Sequence, residues 1–422
     1  MLGTTRRLAL TAGAASIAAA IALCCSLAVA ADAVKVGLSM SLTGAVAPNG
    51  KQLLTALEIW RDDINKGAGL LGRPVELVYY DDQSNPATVP AIYTKLLNVD
   101  KVELLVGPYS TNAVAAAMPV LIAQNKTTIS LLALDVNKQF RYPRYFSMIP
   151  VGPEGAIGFS KGFFELAAAQ SPRPKTVAVI AADAEFAITS SDGARQNAKQ
   201  FGFEIVYDRR YPPATADFGP IVRAVRAANP DMVFVAAYPP DTVGLIRAAN
   251  EVGLNPKMLG GTLIGLLATP IKMQLGPLLN GILNNEIFVP SPKFDFPGLQ
   301  DMLKRYQAKA AGQGIDPLGY GFAPFGYAAG QVLAQTVEAT KTLDHDKLAA
   351  YMRSNTFQTV VGDVAFGPEG EWSTSRMVYS QFQNVIGNDI EQFRDTSRQV
   401  ILLPAQYKTG EIIYPYENAR RP

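Results

Sequence analysis

Residues Val102 to Leu131 read VELLVGPYSTNAVAAAMPVLIAQNKTTISL, and the order of side chains along them decides the architecture. Val102 to Val106 is a short, nearly continuous apolar run, which predicts a strand buried on both faces. Gly107-Pro108 breaks it, Thr111 to Ala123 reads as a helix, and Thr127 to Leu131 returns as a second strand. Two apolar strands joined by a helix of this length make one crossover of a parallel sheet.

The same alternation runs outward in both directions. Upstream lie a strand at Val34 to Met40, a helix at Asn49 to Lys66 with Leu53, Leu57, Trp60 and Ile64 on one face, a strand at Val75 to Tyr80 and a helix at Pro86 to Asn98. Downstream, strands are expected at Thr176 to Ala181, Glu204 to Arg209, Met232 to Ala236 and Lys257 to Gly260, with helices at Phe218 to Ala228 and Pro239 to Val252. The fold class is α/β, doubly wound and mostly parallel. A single sheet of so many strands would be unusually wide, so two lobes are expected. Pro- and Gly-rich stretches at Met148 to Pro153, Asn284 to Pro292 and Gln358 to Gly362 mark three crossings between them. The expected partition is 32–150 with 285–359 for one lobe and 151–284 with 360–422 for the other. In the last sixty residues a strand is expected at Val400 to Leu403, with no pairing assigned to it.

The amino terminus carries an address. Arg6 and Arg7 precede an apolar, Ala-rich stretch from Leu8 to Leu27, and Ala28-Val29-Ala30 fits a small-x-small cleavage site, so residues 1–30 read as an export signal. A membrane anchor is the bland alternative, disfavoured because the stretch is weakly apolar for a permanent span. The arginine pair fits either the general or the twin-arginine export route. Both cysteines, Cys24 and Cys25, lie in this segment, which leaves the remainder without a disulfide, thiol nucleophile or cysteine metal site. Loss of Arg6 and Arg7 brings the charges to 36 basic and 36 acidic residues, a balance that offers nothing to nucleic acid or an anionic membrane.

In open α/β sheets, ligands sit beyond the carboxyl ends of the strands. Those positions here include Thr43 to Asn49, Asp81-Asp82, Tyr109-Ser110-Thr111, Ala133-Leu134-Asp135, Asp183 to Phe186, Tyr238 and Thr262. Ser110 is the sharpest, because its hydroxyl and the first free amides of the following helix converge on one spot suited to an anion. A plain helix cap is the alternative, and both roles are compatible. Tyr238, held extended before Pro239-Pro240, stands where it could stack on a ligand or simply pack. Asp81-Asp82 reads either as a metal or acid–base pair or, more commonly, as solvated loop carboxylates.

Enzyme signatures fail on inventory. The one histidine, His345, sits in a hydrophilic segment resembling a solvated helix start, so neither a Ser-His-Asp triad nor a multi-histidine metal site is available. Gly260-Gly261-Thr262-Leu263-Ile264-Gly265 lacks the Lys-Ser/Thr ending of a phosphate loop, and no G-x-S-x-G stands as an elbow between a strand and a helix. A binding protein without cofactor or metal is the better reading.

Several blocks together carry a family resemblance: KVGLSMSLTGAVAPNG at 35–50, DINKGAGLLGRPVELVYYDDQSNP at 63–86, KVELLVGPYS at 101–110, VFVAAYPPDTVGLIRAANEVGL at 233–254 and VVGDVAFGPEGEW at 360–372. In this order they resemble the leucine/isoleucine/valine-binding family of periplasmic ABC-transporter receptors. The resemblance implies two type I periplasmic-binding lobes joined by three crossovers, which close on a small molecule and dock on a membrane permease. It implies a monomer in the periplasm, with no nucleic-acid partner. Ser110 matches the family serine that holds a ligand carboxylate. Ala133-Leu134 stands where relatives have Ala-Thr, Asn49 and Phe186 fall on aromatic positions, and Tyr238 falls on or beside a ligand-facing tyrosine. Thr262 falls on the glutamate that meets the ligand ammonium in amino-acid binders. A buried ammonium without a carboxylate costs several kcal/mol, so a neutral-tailed carboxylate, an aromatic one included, is the expected ligand. An amino acid is the alternative if Asp135 or Asp183 supplies the charge, and a sensing module for a signalling partner is the other.

Overall fold

The computed structural model describes residues 32–420. The expected export signal at 1–30 lies outside the described residues. Among the described residues, no helix is long and apolar enough to cross a membrane.

Five parallel strands form the first sheet: β1 (Val34–Met40), β2 (Val75–Asp81), β3 (Leu104–Tyr109), β4 (Thr128–Leu131) and β5 (Tyr145–Ser147), in the order β2-β1-β3-β4-β5. Position in the sheet explains composition. Central β3 is buried at every residue, whereas edge strand β2 alternates buried Val75 and Leu77 with more accessible neighbours.

The second sheet holds β6 (Thr176–Ala182), β7 (Glu204–Tyr211), β8 (Met232–Ala237), β9 (Met258–Leu263) and β10 (Ile282–Glu286). After β10 the chain returns to the first lobe. There it forms helices Leu299–Ala310, Ala323–Thr340 and His345–Ser354, then a hairpin of β11 (Thr356–Thr359) and β12 (Gly362–Ala365). Helix Ala323–Thr340 packs along helix Ala47–Lys66, with Gly330 directly over the Trp60 ring. Finally β13 (Val378–Phe382) and β14 (Gln399–Leu403) complete the second sheet in the order β14-β13-β10-β9-β8-β6-β7. These two strands add antiparallel pairs to an otherwise parallel sheet.

The pairings move two expected boundaries. Residues 284 and 285 lie inside β10, so the second crossing begins after Glu286. Residues 359 and 360 lie within the β11–β12 hairpin, so the third crossing runs from Phe366 to Met377. Glycine and proline mark where local structure stops, and they carry no record of which sheet the next strand joins. The first and third crossings run side by side, tied by the Ser147 amide to the Gly370 carbonyl (2.8 Å) and the Arg376 amide to the Pro150 carbonyl (2.8 Å).

Candidate ligand-binding cleft

The carboxyl ends of both sheets face a common cavity. The first lobe contributes Val46, Tyr109, Ser110, Thr111 and Leu132, with Phe322 from the returning segment. Phe159, Phe186, Tyr238, Ile264, Leu267 and Asn285 come from the second lobe, while Ile149 and Ile287 lie on crossings. No Asp, Glu, Lys, Arg or His is among these lining residues. A wider compartment opens outside it toward solvent, lined by Ser41, Ser84, Asn112, Thr215 and Asp241 among others.

Ser110 is the polar centre of the inner cavity. It caps helix Thr111–Ala123, its hydroxyl accepting from the Ala113 amide at 3.4 Å, while its carbonyl takes the Val114 amide at 3.0 Å. The first amides of a helix have no intrahelical acceptor, so those of Thr111 and Asn112 remain as donors for an anion. Ser110 holds φ 81 and ψ 150, a conformation that costs a non-glycine residue about 1–3 kcal/mol. That cost places the hydroxyl at the mouth of the helix start.

Aromatic side chains supply the rest of the wall. Tyr109 meets Phe322 edge to face at 5.7 Å, and Phe186 meets Phe159 at 5.9 Å and Tyr238 at 5.8 Å. Such pairs hold each ring at a fixed angle and so fix the cavity shape. Burial pushes the Tyr238 phenol up to about 12, so it stays a neutral donor. Its hydroxyl donates to Asn112 Oδ1 at 2.9 Å, and the Phe186 amide donates to the same oxygen at 3.2 Å.

The eight expected residues divide. Tyr109, Ser110, Phe186 and Tyr238 line the cavity together. Asn49 stands one layer behind, its Nδ2 donating to the Tyr109 hydroxyl at 2.8 Å. Ala133 and Leu134 are not among the lining residues; the Ala133 carbonyl accepts from Ser147 Oγ, and the Leu134 amide donates to Thr111 Oγ1. The residue from this turn that lines the cavity is Leu132, in a left-handed conformation (φ 57) directly after β4. Thr262 is also displaced. Strand β9 continues through Leu263, beyond the expected end at Gly260, so Thr262 pairs with Ala236 inside the sheet. It is fully buried, and its hydroxyl bonds to Ser190 Oγ at 2.8 Å.

Other polar candidates serve the scaffold. Asp82 is fully buried and takes the hydroxyls of Ser39 (2.7 Å) and Ser41 (2.6 Å), while Asp81 takes the amides of Leu42 and Thr43. Asp82 is not the solvated loop carboxylate expected of the pair, whereas Asp81 is half-buried and bonds to exposed Thr43; together they shape the loop that brings Val46 to the cavity. His345 starts a helix as expected, but Nδ1 accepts from the Thr127 amide, and burial holds the ring neutral, down to about 4. Asp135 lies at the crossings, and Asp183 lies beside Arg210 at 4.0 Å, so neither lines the inner cavity. The carboxylate nearest the ligand space is Asp241 in the outer compartment, which accepts from the Tyr211 hydroxyl at 3.1 Å and is raised by burial. Asn112 and Asp241 lie in the first turns of helices behind Ser110 and Tyr238, a spacing that could have marked them. Phe159 and Phe322 carry no local signal, because tertiary packing brings them in.

A family model described as periplasmic binding protein matches residues 33–383. The chain is similar to the leucine-, isoleucine-, valine-, threonine- and alanine-binding protein of Pseudomonas aeruginosa, 26% identical over 355 residues covering 84% of this chain and 91% of that one. Among solved structures it is similar to a solute-binding protein of an ABC transporter from Rhodopseudomonas palustris in complex with p-hydroxybenzoic acid. There the TM-score is 0.74 at 22% identity, covering 92% of this chain and 98% of that one. A branched-chain amino acid transporter substrate-binding protein from Streptococcus pneumoniae, in complex with isoleucine, gives a TM-score of 0.73 at 18% identity, covering 88% and 100%.

Proposed function

This chain belongs to the periplasmic binding protein family, the extracytoplasmic solute receptors of ABC importers, and we propose that its ligand is a small carboxylate with an apolar, ring-sized body. The observation that carries the reading is the pairing of one anion-seeking helix start at Ser110 with a wall free of charged side chains. A carboxylate there finds a hydroxyl, two amides and the positive end of the helix dipole. An ammonium in the same cavity finds no carboxylate, at a cost of several kcal/mol. The aromatic wall suits a planar body, and the relative described with p-hydroxybenzoic acid fits this chemistry.

In this reading the receptor carries out no catalysis. Residues 1–30 are removed on export, the mature chain works as a monomer in the periplasm, and the closed, loaded form docks on a membrane permease. An amino-acid ligand is the second reading. Asp241 favours it, because an α-ammonium pointing outward past Tyr238 would approach that carboxylate.

Calorimetry on matched pairs separates the two: 3-phenylpropanoate against phenylalanine, and 4-methylpentanoate against leucine. The deaminated member is expected to bind about tenfold tighter or more. Tighter binding of the amino acid, abolished by Asp241→Asn, would replace the carboxylate reading with the second one.

A further inference from the structure

We propose that Asn112 is the latch that holds the two lobes together at the front of the cleft and walls off the inner cavity, so that it limits ligand length. The inference rests on the receptor reading above and adds a positioning residue to it. Asn112 belongs to the first turn of helix Thr111–Ala123 in the first lobe. Its two partners belong to the second lobe: Phe186, in the first turn of helix Glu185–Gln200, and Tyr238, immediately before helix Pro239–Val252. A backbone amide can only donate, so the atom facing Phe186 is the side-chain oxygen, and the Tyr238 hydroxyl donates to that same atom.

These two bonds differ in place from the other links between lobes. Asp135 to the Ala156 amide and Lys293 Nζ to the Lys408 carbonyl lie close to the crossings. Asp316 to the Thr269 amide joins the returning segment to the second lobe. The Asn112 bonds lie at the opening, where the lobes must part for a ligand to enter. They are made only when the lobes meet, so they bias the open–closed equilibrium toward closure.

The same bonds set a boundary. Val46, Ser110 and Tyr238 line both the inner cavity and the outer compartment, and Asn112 lines only the outer one. Of these three only Tyr238 comes from the second lobe, so it forms the movable side of the partition, and Asn112 holds it by the hydroxyl. With the bridge intact a ligand is confined to the inner cavity; without it, the partition can swing and the outer space becomes continuous with the inner one.

The test compares wild type, Asn112→Ala and Asn112→Asp. Spin labels on Ala87→Cys and Ala216→Cys flank the opening, one on each lobe, in the full chain with Cys24 and Cys25 replaced by serine. Without ligand, Asn112→Ala should shift the distance distribution to longer values. Asn112→Asp, which keeps the accepting oxygen, should restore the wild-type distribution, a rescue that mere loss of packing would not give. Superimposable distributions for wild type and Asn112→Ala overturn the latch. In a second arm, 4-hydroxybenzoate should leave Asn112→Ala about tenfold faster, as expected for two lost neutral hydrogen bonds. The affinity of 4-phenylbutanoate relative to 4-hydroxybenzoate should rise about fivefold or more in the same variant. An unchanged ratio overturns the length limit. If wild type binds neither acid, the ligand reading fails, and the ligand-free distances still decide the latch.

Discussion

The cleft and the crossings treat charge in opposite ways. The inner cavity is lined without a single acid or base, whereas at and beside the crossings Glu286 and Glu371 are buried and Asp135 nearly so. Asp135 accepts from the Ala156 amide (2.8 Å) and Lys138 Nζ (3.0 Å), and so pins the start of the second lobe's first helix. Glu371, on the third crossing, faces it. Burial and the Asp135 charge push the Glu371 carboxyl up to about 8, and Lys138 offsets only part of that. Glu286, where the second crossing begins, is fully buried beside Asn284 and pushed up to about 7 by burial. A cavity that must accept and release an anion gains by having no fixed charge of its own to satisfy between ligands. The crossings do not open to a ligand, so carboxyl groups can stay buried there, and Asp135 ties the first lobe to the second through the Ala156 amide.

The sharpest way to break this contrast is at Gly155. It has φ 53, and a Cβ there would lie 1.9 Å from Asp135 Oδ1. Gly155→Ala should cost about 3 kcal/mol or more in chemical denaturation. A loss below about 1 kcal/mol would mean that Asp135 is free to move and that the crossings are not locked.

The pH dependence of stability comes next. The Glu371 carboxyl is raised from an ordinary 4.5 to about 8, so the folded chain binds more protons than the unfolded chain between those values. Its contribution to stability is complete below 4.5 and is lost as pH rises toward 8, a decline of a few kcal/mol. In Glu371→Gln, denaturation midpoints measured across that range should lose this component of the slope. The same slope in the variant would place the titration elsewhere.

A smaller effect separates binding from folding at Ser110. Ser110→Ala should weaken a carboxylate ligand about tenfold, or 1–2 kcal/mol, because the hydroxyl is lost and the amides remain. Ser110→Gly should lose similar affinity yet gain about 0.5–1 kcal/mol of stability, since glycine adopts φ 81 without strain. Equal stability for Gly and Ser would show that no strain is stored there.

The smallest ligand effect is expected at Thr262. Thr262→Val removes the bond to Ser190 and should cost about 1 kcal/mol in stability. Calorimetry should find affinity unchanged within about twofold, because the side chain lies behind the cavity wall. A larger change would return Thr262 to the binding site.

The alternation of apolar strands and helices was legible in the chain itself, because a strand covered on both faces must be apolar throughout, as Met232 to Ala237 is. Ser110 was legible too, since a strand end followed by a helix start puts a hydroxyl and free amides in one place whatever surrounds them. Local pattern failed wherever a single residue of register decided direction. Strand β9 runs three residues past its expected end, which places Thr262 inside the sheet, and the left-handed turn at Leu132 puts that residue in the cavity wall in place of Ala133 and Leu134. The sequence by itself determined the parallel strands at the heart of two sheets, the connecting helices and the helix start at Ser110, all consequences of short-range periodicity and sterics. Only the tertiary structure decided the closing residues. The Asn112 bridge, the Phe159 and Phe322 walls and the Asp135–Glu371 pair join segments far apart in the chain, and their meeting depends on how the lobes pack.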